Sequence, residues 1–311
     1  MTTPREKLVD SQQALPYHIM SRCVRRSFLC GKDGRTRRDY SHRKRWLIDR
    51  IHLLVTLFPI DLYGYTIMSN HFHMVLMYDP NEAQRWSDEE VAHRWCELCP
   101  PKLRTGEIDE DAKEALYKFL LEEPDVLAKK RKMLGSLSYF MKFLKQPIAY
   151  WANQEDDCTG HFFEQRFYSG ALLDEDAMID AMQYVDLNPV RAKLAAEIET
   201  IESSSITERL LATKHSAKKI EALLAETIAP LVSGIKSIRP LFRPAITLGS
   251  YLARMESRIR AQTGLDEGYQ AQRWLERAQL FKRKQRAYGP ERLVRQWIDV
   301  RGFQMREIPL S

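Results

Sequence analysis

The stretch from Tyr63 to Tyr78, YGYTIMSNHFHMVLMY, constrains the fold more than any other part of the chain. It is rich in aromatic and β-branched residues, and a single Ser-Asn pair supplies turn chemistry in its middle. The stretch therefore predicts a β-hairpin whose second strand begins at His71. Because side chains alternate along a strand, His71 and His73 face the same side and can present two imidazoles to one divalent cation. The same spacing also occurs in ordinary strand histidines.

A second group of polar residues lies in the segment YVDLNPVRAKL, from Tyr184 to Leu194. Asp174 suits a helix N-cap, two acidic residues follow it, and apolar residues then recur at helical spacing. We therefore predict a helix from Asp174 to about Asn188. Tyr184 and Asn188 are one turn apart on it, at the edge of the apolar stripe and beside the core. Alternatively, Tyr184 is a boundary tyrosine and Asn188 simply ends the helix before Pro189.

Four short motifs occur in a fixed order along the chain. They are YHIMSR at Tyr17–Arg22, MSNHFHMVL at Met68–Leu76, HFFEQRF at His161–Phe167 and YVDLNPVRA at Tyr184–Ala192. Together they resemble the single-tyrosine HUH transposases, and within these the REP-associated tyrosine transposase group. The resemblance covers about residues 15 to 194 and does not extend into the rest of the chain.

The resemblance implies a catalytic site. In this family, two histidines and a polar residue one helical turn after the nucleophilic tyrosine hold a divalent cation, which corresponds here to His71, His73 and Asn188. Tyr184 matches the nucleophile, whose attack on phosphorus leaves a 5′-phosphotyrosine and a free 3′-hydroxyl. The expected cation is Mg²⁺ or Mn²⁺; the nitrogen ligands suit Mn²⁺ well, and zinc stays open.

The resemblance also implies a substrate, which is single-stranded DNA next to a hairpin. We expect an active site that is open to solvent at a sheet edge, where a flexible strand fits better than a duplex. Three arginines near the motifs, Arg22, Arg166 and Arg191, are candidates for phosphate contacts because a guanidinium can fork onto phosphate oxygens. They are equally candidates for surface ion pairs. The family contains monomers and dimers, so the sequence leaves monomer or homodimer open.

Charge and composition suit a DNA-binding protein. Lysine and arginine number 48 against 42 acidic residues, which gives a net charge of +6 and a pI near 9.0. No apolar run approaches the ~18 residues that cross a bilayer, and the N-terminus lacks an apolar signal region. We therefore expect no membrane association and a bacterial-type cytoplasmic location, with nucleoid DNA as substrate. Five scattered cysteines agree with a reducing compartment.

The order of predicted elements indicates an α+β fold with a ferredoxin-like, split βαβ core. The elements are a strand at Tyr17–Val24, a helix at Arg43–Phe58, the hairpin at Leu62–Tyr78, a helix at Ser136–Tyr150 and a strand at Phe162–Leu173. We predict that this HUH domain spans residues 15–195, with a helical insertion at about 79–133. Residues 196–311 are predicted to form a basic, mainly helical C-terminal region.

Near its end the chain interleaves cations with aromatic residues, including Phe281, Tyr288 and Trp297. The cations are Lys282, Arg283, Lys284 and Arg286. Such a segment can grip a DNA backbone and stack exposed bases. The pattern is equally that of a solvated helix face whose aromatic residues dock on the catalytic domain.

Three other classes of protein stay open. A non-catalytic or domesticated hairpin-DNA-binding protein would bind its target without metal. A metal-dependent DNA hydrolase would use the histidine pair to activate water, leave Tyr184 structural and release a free 5′-phosphate. A repressor-like protein built on the basic C-terminal segment would bind duplex DNA.

Overall fold

The computed structural model describes residues 3–24, 29–32, 37–164, 166–216, 220–234, 241–266 and 268–303. The strands are β1 (Leu15–Arg22), β2 (Ile60–Ile67), β3 (His71–Tyr78), β4 (Tyr168–Leu172) and β5 (Ala287–Tyr288). The helices are α1 (His42–Leu57), α2 (Asp88–Leu98), α3 (Glu110–Glu122), α4 (Pro124–Leu134), α5 (Leu137–Glu155), α6 (Glu175–Asp186), α7 (Asn188–Arg191), α8 (Ser205–Lys214), α9 (Ile220–Ala225), α10 (Leu248–Gln262), α11 (Tyr269–Arg283) and α12 (Glu291–Val300).

The strands form one sheet in the order β2-β3-β1-β4-β5. β1 is antiparallel to both β3 and β4, and β2 is antiparallel to β3. With α1 between the first two strands and α5 before the fourth, this is the split βαβ arrangement, so the predicted α+β, ferredoxin-like fold class is confirmed. The C-terminal region is mainly helical and adds β5, which pairs in parallel with β4. The division at residue 195 stays a prediction.

The two faces of the sheet carry different apolar layers. On the first face, Ile19 and Phe72 pack with α1 and α5. Ile51 of α1 is fully buried there, and burying such a side chain contributes about 1.5–3 kcal/mol. On the second face, Val75 packs with α6 and with the helices of the C-terminal region. Because side chains alternate, His73 shares this second face with Val75.

The predicted helical insertion contains three helices, α2, α3 and α4. Ser87 caps α2, since its hydroxyl accepts a hydrogen bond from the backbone N–H of Glu90 at 3.2 Å. α5 continues to Glu155, beyond the predicted end at Tyr150, and Pro147 lies inside it without ending it. None of the described helices is both long and apolar enough to cross a membrane.

The fourth strand is shorter than the predicted Phe162–Leu173. Tyr168 pairs with Met20, whereas Phe163 forms an isolated bridge with Cys23. Five steps along one chain therefore match three along the other, so the residues between Phe163 and Tyr168 cannot pair one to one with β1. Gln165, in the predicted strand and motif, lies outside the described residues.

Candidate metal and nucleophile site

The structure brings the four predicted catalytic residues together on the second face of the sheet. The ring centroids of His71 and His73 are 5.0 Å apart, and that of Tyr184 lies 5.8 Å from His73. The Asn188 side chain lies near enough to the His71 imidazole to influence its pKa, in the raising direction. Residues more than a hundred positions apart in sequence thus share one site, as their predicted roles require.

The helix that carries the tyrosine is α6. Its N-cap is Asp174, as predicted, whose carboxylate accepts the Ala177 N–H at 2.8 Å. The helix ends at Asp186, slightly before the predicted end, and the short helix α7 begins at Asn188. Pro189 explains this ending, because it lacks the N–H that would continue the helical ladder. Tyr184 and Asn188 still meet the same histidine pair.

Tyr184 and Asn188 were predicted to lie beside the core, and this prediction is wrong. Their exposed fractions are 4% and 8%. Phe281 covers the tyrosine, with ring centroids 5.2 Å apart. The cause is tertiary: α11, which carries Phe281, packs on α6, and helical spacing within one segment does not reveal such a covering element.

The expected solvent-open site at a sheet edge is also wrong. The histidines stand on β3, which lies between β2 and β1 inside the sheet. α6 is tied to the covering helices by Asp180, whose carboxylate binds Arg258 at 2.5 Å and Arg277 at 2.9 Å. The site is therefore an enclosed one under the C-terminal region.

His18, which sequence reasoning missed, belongs to the same site. Its Nε2 lies 2.8 Å from Nδ1 of His73, and the two rings are stacked with centroids 5.0 Å apart. His18 is 1% exposed, and its ring also meets the edge of Tyr184 at 5.7 Å. The signal was present in the first motif, where His18 alternates with the core residues Tyr17 and Ile19.

The imidazoles are held neutral. Burial, followed by the nearby charge of Arg22, lowers the pKa of His71 to about 4. Burial, followed by neighbouring His71 and His18, holds the pKa of His73 well below its usual range. Burial also lowers the pKa of His18 to about 3. Neutral imidazole is the form that can ligate a metal.

One tautomer follows from the hydrogen bonds. Nδ1 of His71 lies 2.6 Å from Oδ1 of Asn70, which can only accept. His71 therefore carries its proton on Nδ1 and keeps the Nε2 lone pair for a ligand.

Cations surround the histidine pair. Arg22 is paired in register with His71 on the neighbouring strand, and the Arg191 guanidinium carbon lies 4.5 Å from the centre of the Tyr184 ring. Lys284 contributes to lowering the pKa of both His18 and His71. Positive charge at this position suits a phosphate group.

The other predicted DNA-binding cations lie outside this cluster. Arg166 is exposed and donates to the Thr3 carbonyl at 2.8 Å. Lys282 and Arg283 are exposed in the last turn of α11. Arg286 lies over the Phe303 ring, 4.4 Å from its centre. Their predicted contacts with DNA stay predictions.

The aromatic residues of the basic C-terminal segment are buried. Phe281, Tyr288 and Trp297 are 1%, 0% and 5% exposed. Of the two alternatives for this segment, the structure shows aromatic residues docked on the core. Stacking of exposed bases on these three rings is excluded in this conformation.

The donor set fits a divalent cation. Across the described ranges, no group of three or more His, Cys, Asp or Glu side chains could hold a metal. The predicted set differs because its third member, Asn188, is an amide. Two neutral imidazoles, one with a free Nε2 lone pair, beside an amide oxygen suit Mn²⁺ or Mg²⁺.

Comparison with known proteins leaves the family open. No protein-family model matches the sequence, and no curated protein matches it. Among solved structures, the chain is similar to a REP-associated tyrosine transposase bound to a REP hairpin. That similarity covers 77% of this chain and 100% of the other, at 11% identity and a TM-score of 0.36. A similarity this low assigns neither family nor function.

Proposed function

We propose that this protein is a metal-dependent single-tyrosine DNA transposase that cleaves and rejoins single-stranded DNA next to hairpins. One observation carries the proposal: His71, His73, Asn188 and Tyr184 converge on one face of a ferredoxin-like sheet. The surrounding cations support it, because the substrate of such a reaction is a phosphodiester.

In the proposed reaction, Tyr184 is the nucleophile. Its oxygen forms a bond to phosphorus while the bond from phosphorus to the 3′ oxygen breaks. The phenol proton is lost, the 3′ oxygen gains a proton, and the 5′ phosphate stays on the tyrosine. A later attack by a DNA 3′-hydroxyl displaces the phenol and restores a phosphodiester. The covalent bond conserves the energy of the phosphodiester, so no ATP is needed.

The other residues bind and orient. A divalent cation held by His71, His73 and Asn188 would polarise the scissile phosphate. Arg22 and Arg191 are placed to neutralise phosphate charge, since each lies against a member of the site. Because Phe281 covers Tyr184, a DNA strand reaches the tyrosine only after that side chain moves aside.

The test is a search for a covalent adduct. The full chain is incubated with labelled single-stranded hairpin DNA and Mn²⁺ or Mg²⁺, and products are resolved under denaturing conditions. We expect an adduct that maps to Tyr184 by mass spectrometry, that a chelator abolishes and that falls by several orders of magnitude in Tyr184→Phe. Tyr150→Phe, at a 60% exposed tyrosine, is the matched control and keeps the adduct.

Other outcomes assign other functions. Cleavage that leaves a free 5′-phosphate and no adduct would indicate a metal-dependent hydrolase. An adduct in Tyr184→Phe would place the nucleophile elsewhere.

The burial of Tyr184 favours a second candidate, a non-catalytic hairpin-DNA-binding protein. A tyrosine that is 4% exposed is a normal core residue as well as a covered nucleophile. Such a protein would bind hairpin DNA with the same affinity in the presence and absence of chelator, and Tyr184→Phe would not change that affinity. It would give no cleavage product with any metal. Metal-dependent product formation would exclude it.

A further inference from the structure

A cavity of about 500 Å³ lies on the face of the sheet opposite the histidine pair. It is bounded by α5 and by residues 160–164, 166 and 167, which precede β4. Apolar groups of Met141, Phe162 and Phe163 line it. Its volume is within the range of about 300–1,000 Å³ that is usual for ligand sites.

The cavity carries a concentrated positive charge. Four cations line it against one carboxylate, that of Glu164, in a chain whose whole net charge is +6. The cations are Arg5, Lys142, Lys145 and Arg166. Burial lowers the pKa of Arg5 to about 10, with a further contribution from the charge of Arg166. The cations thus oppose one another, and a bound anion would relieve that repulsion.

The hydrogen-bond partners of these cations are neutral. Lys145 Nζ donates to the Glu164 carbonyl at 2.9 Å, and Arg166 donates to a backbone carbonyl. Arg5 donates to the Phe167 carbonyl and to the Ser169 hydroxyl, each at 2.8 Å. Within the ranges that the structure describes, no ion pair involves any of the four. Their charge remains available to an anion.

A second cavity, of about 280 Å³, continues the first towards the catalytic face. The two share Arg5, Arg166 and Phe167. The second also reaches Lys284, Arg286 and Tyr168, and the Tyr168 ring lies 5.6 Å from that of His18.

The sheet leaves this route open. β5 pairs only with Ala171 and Leu172, so among the described residues no strand pairs with the beginning of β4 on that side, where Arg5 binds the Phe167 carbonyl and the Ser169 hydroxyl. The two cavities therefore form one groove beside the beginning of β4, which ends at Tyr168, the residue whose ring contacts that of His18. Six cations line it: Arg5, Lys142, Lys145, Arg166, Lys284 and Arg286.

We propose that this groove binds the single-stranded DNA that flanks the cleaved phosphate, with its backbone along the six cations and one unpaired base in the 500 Å³ cavity. The assignment rests on the proposed function only for its substrate class. A row of cations fits a flexible phosphate backbone, and an apolar cavity with a basic rim fits the flat face of a base. A duplex presents no free base to enter it.

Binding is measured without chemistry, so that the groove and the reaction can fail separately. The full chain carrying Tyr184→Phe is titrated, in chelator, into a labelled single strand of about 15 nucleotides without a hairpin. The test variant adds Lys142→Gln and Arg166→Gln, both at exposed positions, so folding is preserved. Lys118→Gln, at an exposed lysine of α3, is a control for loss of one charge outside the groove.

We expect the double variant to bind about tenfold more weakly. The slope of its log affinity against log salt concentration should decrease in magnitude by about 1.4, or about 0.7 for each lost phosphate contact. A strand carrying 5-iodouracil should crosslink to the peptide of residues 160–167. Affinity and salt dependence equal to those of Lys118→Gln, or no crosslink to that peptide, would overturn the groove. Tighter binding of duplex or RNA would overturn its assignment to single-stranded DNA.

The Tyr184 adduct is measured separately in the chain with native Tyr184. If the two groove substitutions change neither the yield of the adduct nor the affinity of the protein for the single strand, the proposed function is retained and the groove is rejected. If the substitutions weaken strand binding but the native protein forms no adduct, the groove is retained and the proposed function is rejected.

Discussion

Nε2 of His18 and Nδ1 of His73 lie 2.8 Å apart in stacked, buried rings. For His73 to ligate a cation through Nε2, its proton must sit on Nδ1, where it donates to His18. His18 then carries its own proton on Nδ1. That atom is buried and has no hydrogen-bond partner in the described part of the chain. Leaving such a donor unpaired costs about 1–3 kcal/mol of folding stability. His18 therefore orients His73 at the expense of the stability of the fold.

Replacing His18 with alanine is expected to weaken metal binding. Without its acceptor, His73 loses both the fixed tautomer and the fixed ring position, and lost partners of this kind cost about 10- to 100-fold in affinity. Mn²⁺ affinity of the DNA-free protein, followed by electron paramagnetic resonance, measures the effect. His93→Ala, at an exposed histidine of α2, should bind like the native chain. If a folded His18→Ala protein binds Mn²⁺ with native affinity, His18 does not orient His73 for metal binding.

The contrast between these histidines shows what the sequence can predict. His71 and His73 stand on one strand, so period-two alternation alone places them on one face. His18 stands on another strand, and its contact with His73 depends on the register that sets Met20 opposite His73. Local patterns predicted the strands, α6 and its cap because each depends on neighbours in sequence. The contact between Phe281 and Tyr184 depends on a helix almost a hundred residues away.

Phe281→Ala is expected to uncover Tyr184. The Phe281 ring lies against Tyr184 and stacks on Tyr288, 4.4 Å from its centre, so its removal opens space directly over the tyrosine. Nitration by tetranitromethane, mapped by mass spectrometry, should rise at Tyr184 while exposed Tyr150 reacts equally in both proteins. The truncation also costs about 3–5 kcal/mol, so unfolding is monitored in parallel. Unchanged nitration in a folded variant would mean that another element covers the tyrosine.

Asp186 joins α6 to the C-terminal region, and its loss should destabilise the protein. Its buried carboxylate accepts from the Tyr251 hydroxyl at 2.7 Å, from the Ile206 N–H at 3.1 Å and from the Ser205 hydroxyl. Burial raises its pKa, the expected direction for a carboxylate taken out of water.

Asp186→Ala leaves these donors unpaired, and we expect the free energy of unfolding to fall by about 3 kcal/mol. Asp186→Asn keeps an acceptor oxygen and should cost less. Urea unfolding compares both with Asp111→Ala, an exposed aspartate of α3 that should change little. Equal stability of all three variants would show that the network does not hold α6.

Lys145 gives the groove a pH dependence that its arginines cannot supply. Burial lowers its pKa to about 8. In the free protein its charge is therefore present below pH 8 and is lost above it, whereas a bound phosphate raises the pKa and requires uptake of a proton. Affinity for the single strand should accordingly fall as the pH rises from about 7 to 9. Lys145→Arg retains its charge over this range, so its affinity should stay nearly constant. If the native chain and Lys145→Arg show the same pH profile, Lys145 makes no contact with the strand.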